Sequence, residues 1–342
     1  MGLASQPIVL RSRLEMQSYA AKQREQAQDI FFVPTMGALH AGHAALLLEA
    51  RKKPGKLVLS IFVNPAQFGP QEDLAKYPRT LEADLEIAKQ CGVDVVFAPD
   101  VHEIYPAGFS SKVTVGQQLA QVFEGAARPG HFDGVCLVVL ILLNIVQARA
   151  AYFGMKDYQQ VVVLQRFMAD IGHPTELIAL PTVRDHDGLA LSSRNRFLVG
   201  DSRTLGSIVP FALSRAWTLF QDGERDPARL VSEVRNTIAA FSQQAALELP
   251  EPTQRLELDY VECLELGSLH KCSAPLRQAA VIVLALRVKV VNGFSAEMRP
   301  EPYFVRLLDN LVLSSEEPWP KAGTELANFF LASRPFLQSG SK

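Results

Sequence analysis

Cysteine is scarce and unpatterned in this chain of 342 residues. Cys91, Cys136, Cys263 and Cys272 are all it has, and no two form a C-x-x-C pair. Such spacing offers neither a zinc site nor a disulfide framework, so the expectation is reduced thiols in a cytoplasmic protein. Long apolar runs are missing too. The most apolar stretch, Val135 to Ile145, contains Asn144 and is bounded by Asp133 and Arg149. It falls well short of the roughly 20 residues that span a bilayer and predicts a core element and no membrane partner. The first residues lack the charged-then-apolar pattern of a signal peptide, and Gln6 stands where a myristoylation motif wants Ser or Thr, so neither export nor lipidation is expected.

Nor is there an excess of charge of one sign. The formal net charge of −2 gives no general electrostatic grip on nucleic acid, which leaves small molecules as the expected partners. Three catalytic fingerprints are absent. No G-x-S-x-G elbow occurs, no Glu follows His40 to make H-E-x-x-H, and the first turn reads Pro34-Thr35-Met36-Gly37 with no G-x-G-x-x-G. Serine hydrolysis, zinc proteolysis and dinucleotide redox chemistry recede, and nucleotidyl transfer comes forward. With 48% hydrophobic and 20% charged residues the chain is ordinary globular material, long enough for one large or two medium domains.

The stretch that organises the rest is Phe31-Phe32-Val33-Pro34-Thr35-Met36-Gly37-Ala38-Leu39-His40-Ala41-Gly42-His43-Ala44. It reads as a short apolar strand ended by Pro34, a turn at Gly37, and a helix of strong helix formers from Ala44 to Lys53. Two histidines therefore sit at a helix N-terminus, where unpaired N–H groups and the positive end of the helix dipole attract phosphate. The plain alternative is that His40 and His43 are ordinary capping or half-buried residues.

Taken in order, residues 11 to 28 predict a surface helix. Lys56 to Val63 predicts a buried strand broken by Asn64-Pro65. A helix capped by Thr80 runs to Gln90, and a strand spans Val93 to Ala98. A short strand at Lys112 to Val115, a buried helix from Gly134 to Gln147, a strand at Ala150 to Phe153, a helix from Tyr158 to Ile171 and a strand at Glu176 to Leu180 continue the alternation. The expected fold is α/β: a Rossmann-like, doubly wound parallel sheet, binding ligands beyond the carboxyl ends of its strands. From about Arg184 the texture changes. Two long helices, Asp201 to Gln221 and Pro227 to Leu247, precede strands at Leu256 to Leu264, Ala279 to Val291 and Tyr303 to Leu313, a smaller α+β domain. Expected boundaries are 1–183 for the Rossmann-like, nucleotide-binding domain, 184–313 for the smaller α+β domain, and 314–342 for a loosely ordered tail.

Four segments follow strand ends. Besides the histidine turn there is Asn64-Pro65-Ala66-Gln67-Phe68-Gly69-Pro70, whose carboxamides suit a substrate with hydroxyls and a carboxylate. Tyr152-Phe153-Gly154-Met155-Lys156-Asp157-Tyr158-Gln159-Gln160 puts a lysine at a helix start, and Asp187-Gly188-Leu189-Ala190-Leu191-Ser192-Ser193-Arg194-Asn195-Arg196 offers two hydroxyls and a guanidinium for phosphate. Each alone is more often just a turn, a loop or a cap.

Together, in this order, they resemble the pantothenate synthetase family, the pantoate-beta-alanine ligases of the nucleotidyltransferase superfamily. The matching motifs are Pro34 to His43, Phe62 to Phe68, Tyr77-Pro78-Arg79-Thr80, Arg128-Pro129-Gly130-His131-Phe132, Lys156 to Gln160 and Leu191 to Asn195, and the likeness covers roughly residues 8 to 313. The resemblance implies a two-step reaction: pantoate attacks the α-phosphate of Mg-ATP to give pantoyl adenylate and pyrophosphate, and beta-alanine then displaces AMP. It implies that Met36, Gly37, His40 and His43 surround ATP, with His40, His43 and Lys156 catalytic and His43 the proton donor. It places Gly154, Lys156, Asp157, Val183, Leu191, Ser192, Ser193 and Arg194 on the nucleotide, Gln67 on pantoate and beta-alanine, Gln160 on pantoate, and Asn64 with the substrate. It implies Mg²⁺ on phosphate oxygens rather than on a protein metal site, a cytoplasmic location, and a homodimer formed through the nucleotide domain.

Departures from the family pattern accompany these matches. Met155 stands where the family has Glu, Leu137 and Ile141 replace an expected Thr and Lys, and Asn292 to Pro302 reads as an insertion, with a further extension after Leu313. These motivate a competing reading, a catalytically weakened nucleotide-binding or scaffold homologue. A related adenylyltransferase acting on another acid is less favoured because both Gln67 and Gln160 are present.

Overall fold

The computed structural model describes residues 6–69, 74–248, 255–290 and 303–314. The proposed insertion at Asn292 to Pro302 and the extension beyond Ser314 lie outside them. The chain divides into two compact units, Met1–Thr182 and Val183–Lys342.

Unit 1 is built on six strands: β1 Ile8–Leu10, β2 Ile30–Thr35, β3 Lys56–Ile61, β4 Val95–Phe97, β5 Ala150–Gly154 and β6 Glu176–Leu180. Their order is β1-β4-β3-β2-β5-β6, and every pairing is parallel. Continuous apolar strands arise because both faces are covered and successive side chains point to opposite faces. Ile30 and Phe32 of β2 join Val58 of β3 in one core cluster, with the helix His131–Val146. Phe31 and Val33 join Leu57 and Leu59 in the other, with the helix Ala41–Arg51. From β2 the chain passes to β3 on one side and later returns to β5 on the other. The strand order thus reverses between β2 and β5, where a doubly wound sheet opens a crevice at its carboxyl edge.

Two expectations are corrected here, and one strand is new. No strand forms at Lys112 to Val115. The Val115 N–H donates to Asp133 Oδ1 at 2.8 Å, so a side chain replaces the ladder while Val115 enters the core. β1 was not anticipated, since its three residues carry no readable period. The helix expected from Asp201 to Gln221 is two, Asp201–Gly206 and Ile208–Gln221. Pro210 has no N–H to continue the ladder and is tolerated only in a first turn.

Unit 2 carries β7 Leu256–Glu265, β8 Ala280–Val290 and β9 Tyr303–Leu313, an antiparallel sheet ordered β7-β8-β9. The helices Ile208–Gln221 and Pro227–Glu248 share a core with it: Val209, Leu213, Leu230 and Val234 pack with Ile282, Leu284 and Leu286. This is the α+β unit that the alternating strands predicted.

Candidate active site

The histidine turn leaves β2 under tight restraint. Gly37 has φ +81° and Ala38 φ +51°, so two successive residues take the left-handed region, Ala38 despite its Cβ. The buried carboxylate of Asp84, from the helix Leu81–Gln90, holds them there. Its Oδ2 accepts from the Ala38 N–H at 3.0 Å and its Oδ1 from the Leu39 N–H at 2.8 Å. A Cβ on Gly37 would lie 3.0 Å from Asp84 Oδ2, so glycine is required for the approach as well as for φ. Thr80, expected to cap that helix, makes no side-chain cap and instead sets its Oγ1 3.2 Å from Asp84 Oδ1. In Asp84→Asn one acceptor becomes an NH₂ facing a backbone N–H. We expect a loss of about 1–3 kcal/mol in denaturant unfolding, as for an unsatisfied buried donor; unchanged stability would show that the turn holds itself.

His40 and His43 form a reciprocal cap at the start of the helix Ala41–Arg51. The Gly42 N–H donates to His40 Nδ1 at 3.1 Å, and the His40 N–H donates to His43 Nδ1 at 3.3 Å. Their rings lie 4.1 Å apart between centroids. Because both Nδ1 atoms accept, each neutral ring carries its proton on Nε2, which remains as the outward donor. Burial pushes His40 down to about 4, helped by the Lys156 ammonium. Burial and the neighbouring His40 push His43 down to about 3. Both rings are therefore neutral at pH 7. The plain alternative is what the geometry shows: the histidines are caps, and capping is what fixes their tautomer.

A pH dependence follows from these shifts. Unfolded histidine takes up a proton near 6.5 while the folded rings resist until about 4 and 3, so the unfolded state binds more protons in that interval. Stability is expected to fall as pH drops from 6.5 toward 4. The slope of thermal midpoint against pH should flatten in His40→Gln; an unchanged slope would remove His40 from the linkage.

Beyond β3 the chain turns at Asn64–Gln67. The fully buried Asn64 carboxamide was expected beside the substrate. Its Oδ1 instead accepts from Tyr105 OH at 2.7 Å and Ala66 N–H at 3.2 Å, while its Nδ2 donates to Gly134 O at 3.1 Å and Gln67 Oε1 at 3.0 Å. With both atoms engaged, Asn64 acts on Gln67 and has no capacity left for a ligand. Gln67 Nε2 also lies 3.2 Å from Met36 Sδ, joining this turn to the histidine turn. From the other side Arg128 Nη1 donates to His131 Nε2 at 3.0 Å, which leaves the proton on Nδ1 to donate to Gln67 O at 2.8 Å. Gly134 lets the helix His131–Val146 touch this turn, because a Cβ there would meet Ala66 O at 2.1 Å.

Beyond β5, Gly154 leads into the turn Met155–Asp157 and the helix Tyr158–Asp170. Lys156 Nζ stands 3.3 Å from Asp157 Oδ1, and its charge is felt at both histidines. The adjacent glutamines have opposite assignments. Gln159 is buried and bonded to Glu124 N–H, Leu119 O and Val122 O, whereas the half-buried Gln160 carboxamide makes no hydrogen bond among the described residues. Three turns thus leave the carboxyl ends of the neighbouring strands β3, β2 and β5, bringing Met36, His40, His43, Gln67, Lys156 and Gln160 to one edge of the sheet.

In unit 2, Val183 O accepts from the Leu191 N–H at 2.9 Å, closing a loop whose base is pinned by Arg184. Its guanidinium meets the Asp309 carboxylate in two bonds, 2.6 and 2.9 Å, both side chains buried. On that loop Ser192 Oγ accepts from the Arg194 N–H at 3.3 Å, Asn195 Nδ2 donates to Ala190 O at 2.9 Å, and the Arg194 side chain is exposed.

The pantoate-beta-alanine ligase family profile matches residues 8–312. The chain belongs to the pantoate-beta-alanine ligase family. The pantothenate synthetase of Moorella thermoacetica is 43% identical over 306 residues, 89% of this chain and 98% of that protein. The crystal structure of pantothenate synthetase from Thermus thermophilus is 36% identical with a TM-score of 0.75, covering 89% of this chain and 98% of that one. The pantoate-beta-alanine ligase from Francisella tularensis, complexed with beta-gamma ATP and beta-alanine, is 30% identical with a TM-score of 0.65, covering 90% and 97%.

Within this ligase fold the residues that sequence reasoning missed are positioning ones: Asp84, Arg128, His131 and Gly134. Arg128 and His131 were visible as a motif without a role, and Gly134 was legible only as a glycine in an apolar helix. The kinship does not favour a catalytically weakened homologue. Ile141, one basis for that reading, packs against the unit 1 core.

Proposed function

We propose that the carboxyl edge of the unit 1 sheet carries out the ATP-dependent condensation of pantoate with beta-alanine. The observation that carries it is the pair of neutral, cap-locked imidazoles, each with an Nε2–H donor, beside Lys156 and between two glutamine-bearing turns. The Lys156 ammonium and the two Nε2–H groups supply the positive and donor side of a phosphate site at a helix N-terminus. Gln67 and Gln160 supply the amides that orient an acid bearing hydroxyls.

In the first step a pantoate carboxylate oxygen bonds to the α-phosphorus while the bond to the β-phosphate oxygen breaks and pyrophosphate leaves. Negative charge grows on phosphate oxygens beside His40 and His43. A polyphosphate beside the rings raises their basicity, which equips His43 to pass a proton to the leaving oxygen. In the second step the beta-alanine amine bonds to the pantoyl carbonyl carbon and AMP departs. Ser192, Ser193 and Arg194 are assigned phosphate contacts, Val183 and Leu191 nucleotide contacts through the backbone. Among the described residues no group of three or more His, Cys, Asp or Glu is arranged to hold a metal. The resemblance implies that Mg²⁺ enters as part of the Mg-ATP substrate, keeping water ligands.

A cytoplasmic homodimer completes this reading, supported by the resemblance, and sedimentation checks the dimer. No described helix is long and apolar enough to cross a membrane. The deciding experiment is exchange of labelled pyrophosphate into ATP. Exchange that requires pantoate is expected; exchange without it, or with other hydroxy acids equally, would redirect the assignment to another adenylyltransferase.

A further inference from the structure

Cys263 and Cys272 belong to unit 2, and the fold pairs them in a way their spacing in the sequence does not announce. Leu264 bridges Lys271 in antiparallel fashion, and the Glu265 N–H donates to His270 O at 2.9 Å. The same register sets Cys263 opposite Cys272, whose N–H donates to Cys263 O at 3.0 Å. Residues facing each other across a hydrogen-bonded antiparallel pair have Cα atoms about 5.5 Å apart, inside the range that a disulfide spans without backbone movement. Directly opposed residues of an antiparallel pair send their side chains to the same face, and both cysteines join the unit 2 core, Cys263 within it and Cys272 packed against it. Both are free thiols, Cys263 buried and Cys272 half-buried.

We propose that Cys263 and Cys272 are a reversible redox modification site, closed to an intramolecular disulfide by a low-molecular-weight disulfide such as oxidised glutathione. The Cys272 thiolate attacks one glutathione sulfur, forming a mixed disulfide and releasing one reduced glutathione. Cys263, deprotonated, then attacks the Cys272 sulfur, forming the protein disulfide and releasing the second. Two protein thiols are oxidised and one glutathione disulfide is reduced, so electrons and protons balance. Cys272 is the entry point because it is the less buried residue of the two. Burial raises both thiols, which makes the exchange slow at neutral pH and calls for long equilibration. The bond would staple the end of β7 to the segment returning toward β8.

The test equilibrates the full-length protein at mildly alkaline pH in buffers from reduced to oxidised glutathione, blocks free thiols with an alkylating agent and maps them by peptide mass spectrometry. The expected result is loss of two thiols together, recovered as one linked Cys263–Cys272 peptide pair that dithiothreitol releases, while Cys91 and Cys136 stay alkylated. Cys272→Ser is expected to keep Cys263 reduced throughout. The proposal is overturned by four free thiols in oxidised glutathione alone, by a glutathione adduct that persists on Cys272, by a bond that recruits Cys91 or Cys136, or by loss of the Cys263 thiol in Cys272→Ser.

Discussion

Replacing His43 with Ala is expected to slow pantoate-dependent exchange of pyrophosphate into ATP by about 10²-fold or more, the usual consequence of losing one donor to transition-state charge. The substitution removes two things at once: the Nε2–H donor, and the Nδ1 acceptor that satisfies the His40 N–H. Loss of such a cap costs about 0.5–2 kcal/mol of stability in its own right. His43→Asn separates the effects, since its carboxamide oxygen can stand where Nδ1 accepts and nothing replaces the Nε2 proton. We expect His43→Asn to recover most of the thermal midpoint and little of the rate. Wild-type exchange kinetics in His43→Ala, or a full recovery of rate in His43→Asn, would leave the ring with a structural role only.

Replacing Gly134 with Ala sets two effects against each other. In an ordinary helix interior the change stabilises by about 1 kcal/mol, because glycine loses more backbone freedom on folding. Here the new methyl would lie 2.1 Å from Ala66 O, 2.4 Å from Ala66 C and 2.7 Å from Gln67 N. All three are backbone atoms of a turn already held by Asn64, Arg128 and His131, so no flexible side chain can give way. Overpacking of this kind costs about 1–3 kcal/mol or more, which outweighs the propensity gain. We expect a net loss of stability, and a higher KM for pantoate because relief moves Gln67. A Gly134→Ala protein more stable than wild type, with unchanged KM, would mean that the helix and the turn separate at no cost.

Much of this could be read in the chain beforehand because its physics is local. Continuous apolar runs at β2, β3 and β5 announce strands buried on both faces, and the glycine and proline breaks after them announce turns. The histidine turn and the lysine at the start of the helix Tyr158–Asp170 were legible for the same reason, since a helix N-terminus is a local feature with a fixed chemical character. The resemblance then attached names to side chains that local reasoning had only shortlisted.

Partners that arrive from distant parts of the chain were not legible. Asn64 and Gln67 look interchangeable as carboxamides on one loop, yet Tyr105 and Gly134 help saturate Asn64, which in turn holds the Gln67 Oε1. Gln159 and Gln160 are adjacent and identical, and only the backbone of residues 119–124 decides which is buried. By itself the sequence determined the alternation of strands and helices, the turns that follow the strand ends, and the residue types available there. Tertiary structure alone decided which amides are saturated, that Asp84 holds two residues in left-handed conformation, that both imidazoles are neutral with the proton on Nε2, and that Cys263 faces Cys272. Hydrogen-bond satisfaction, burial and charge proximity depend on groups far apart in the chain, and no local pattern of residues encodes them.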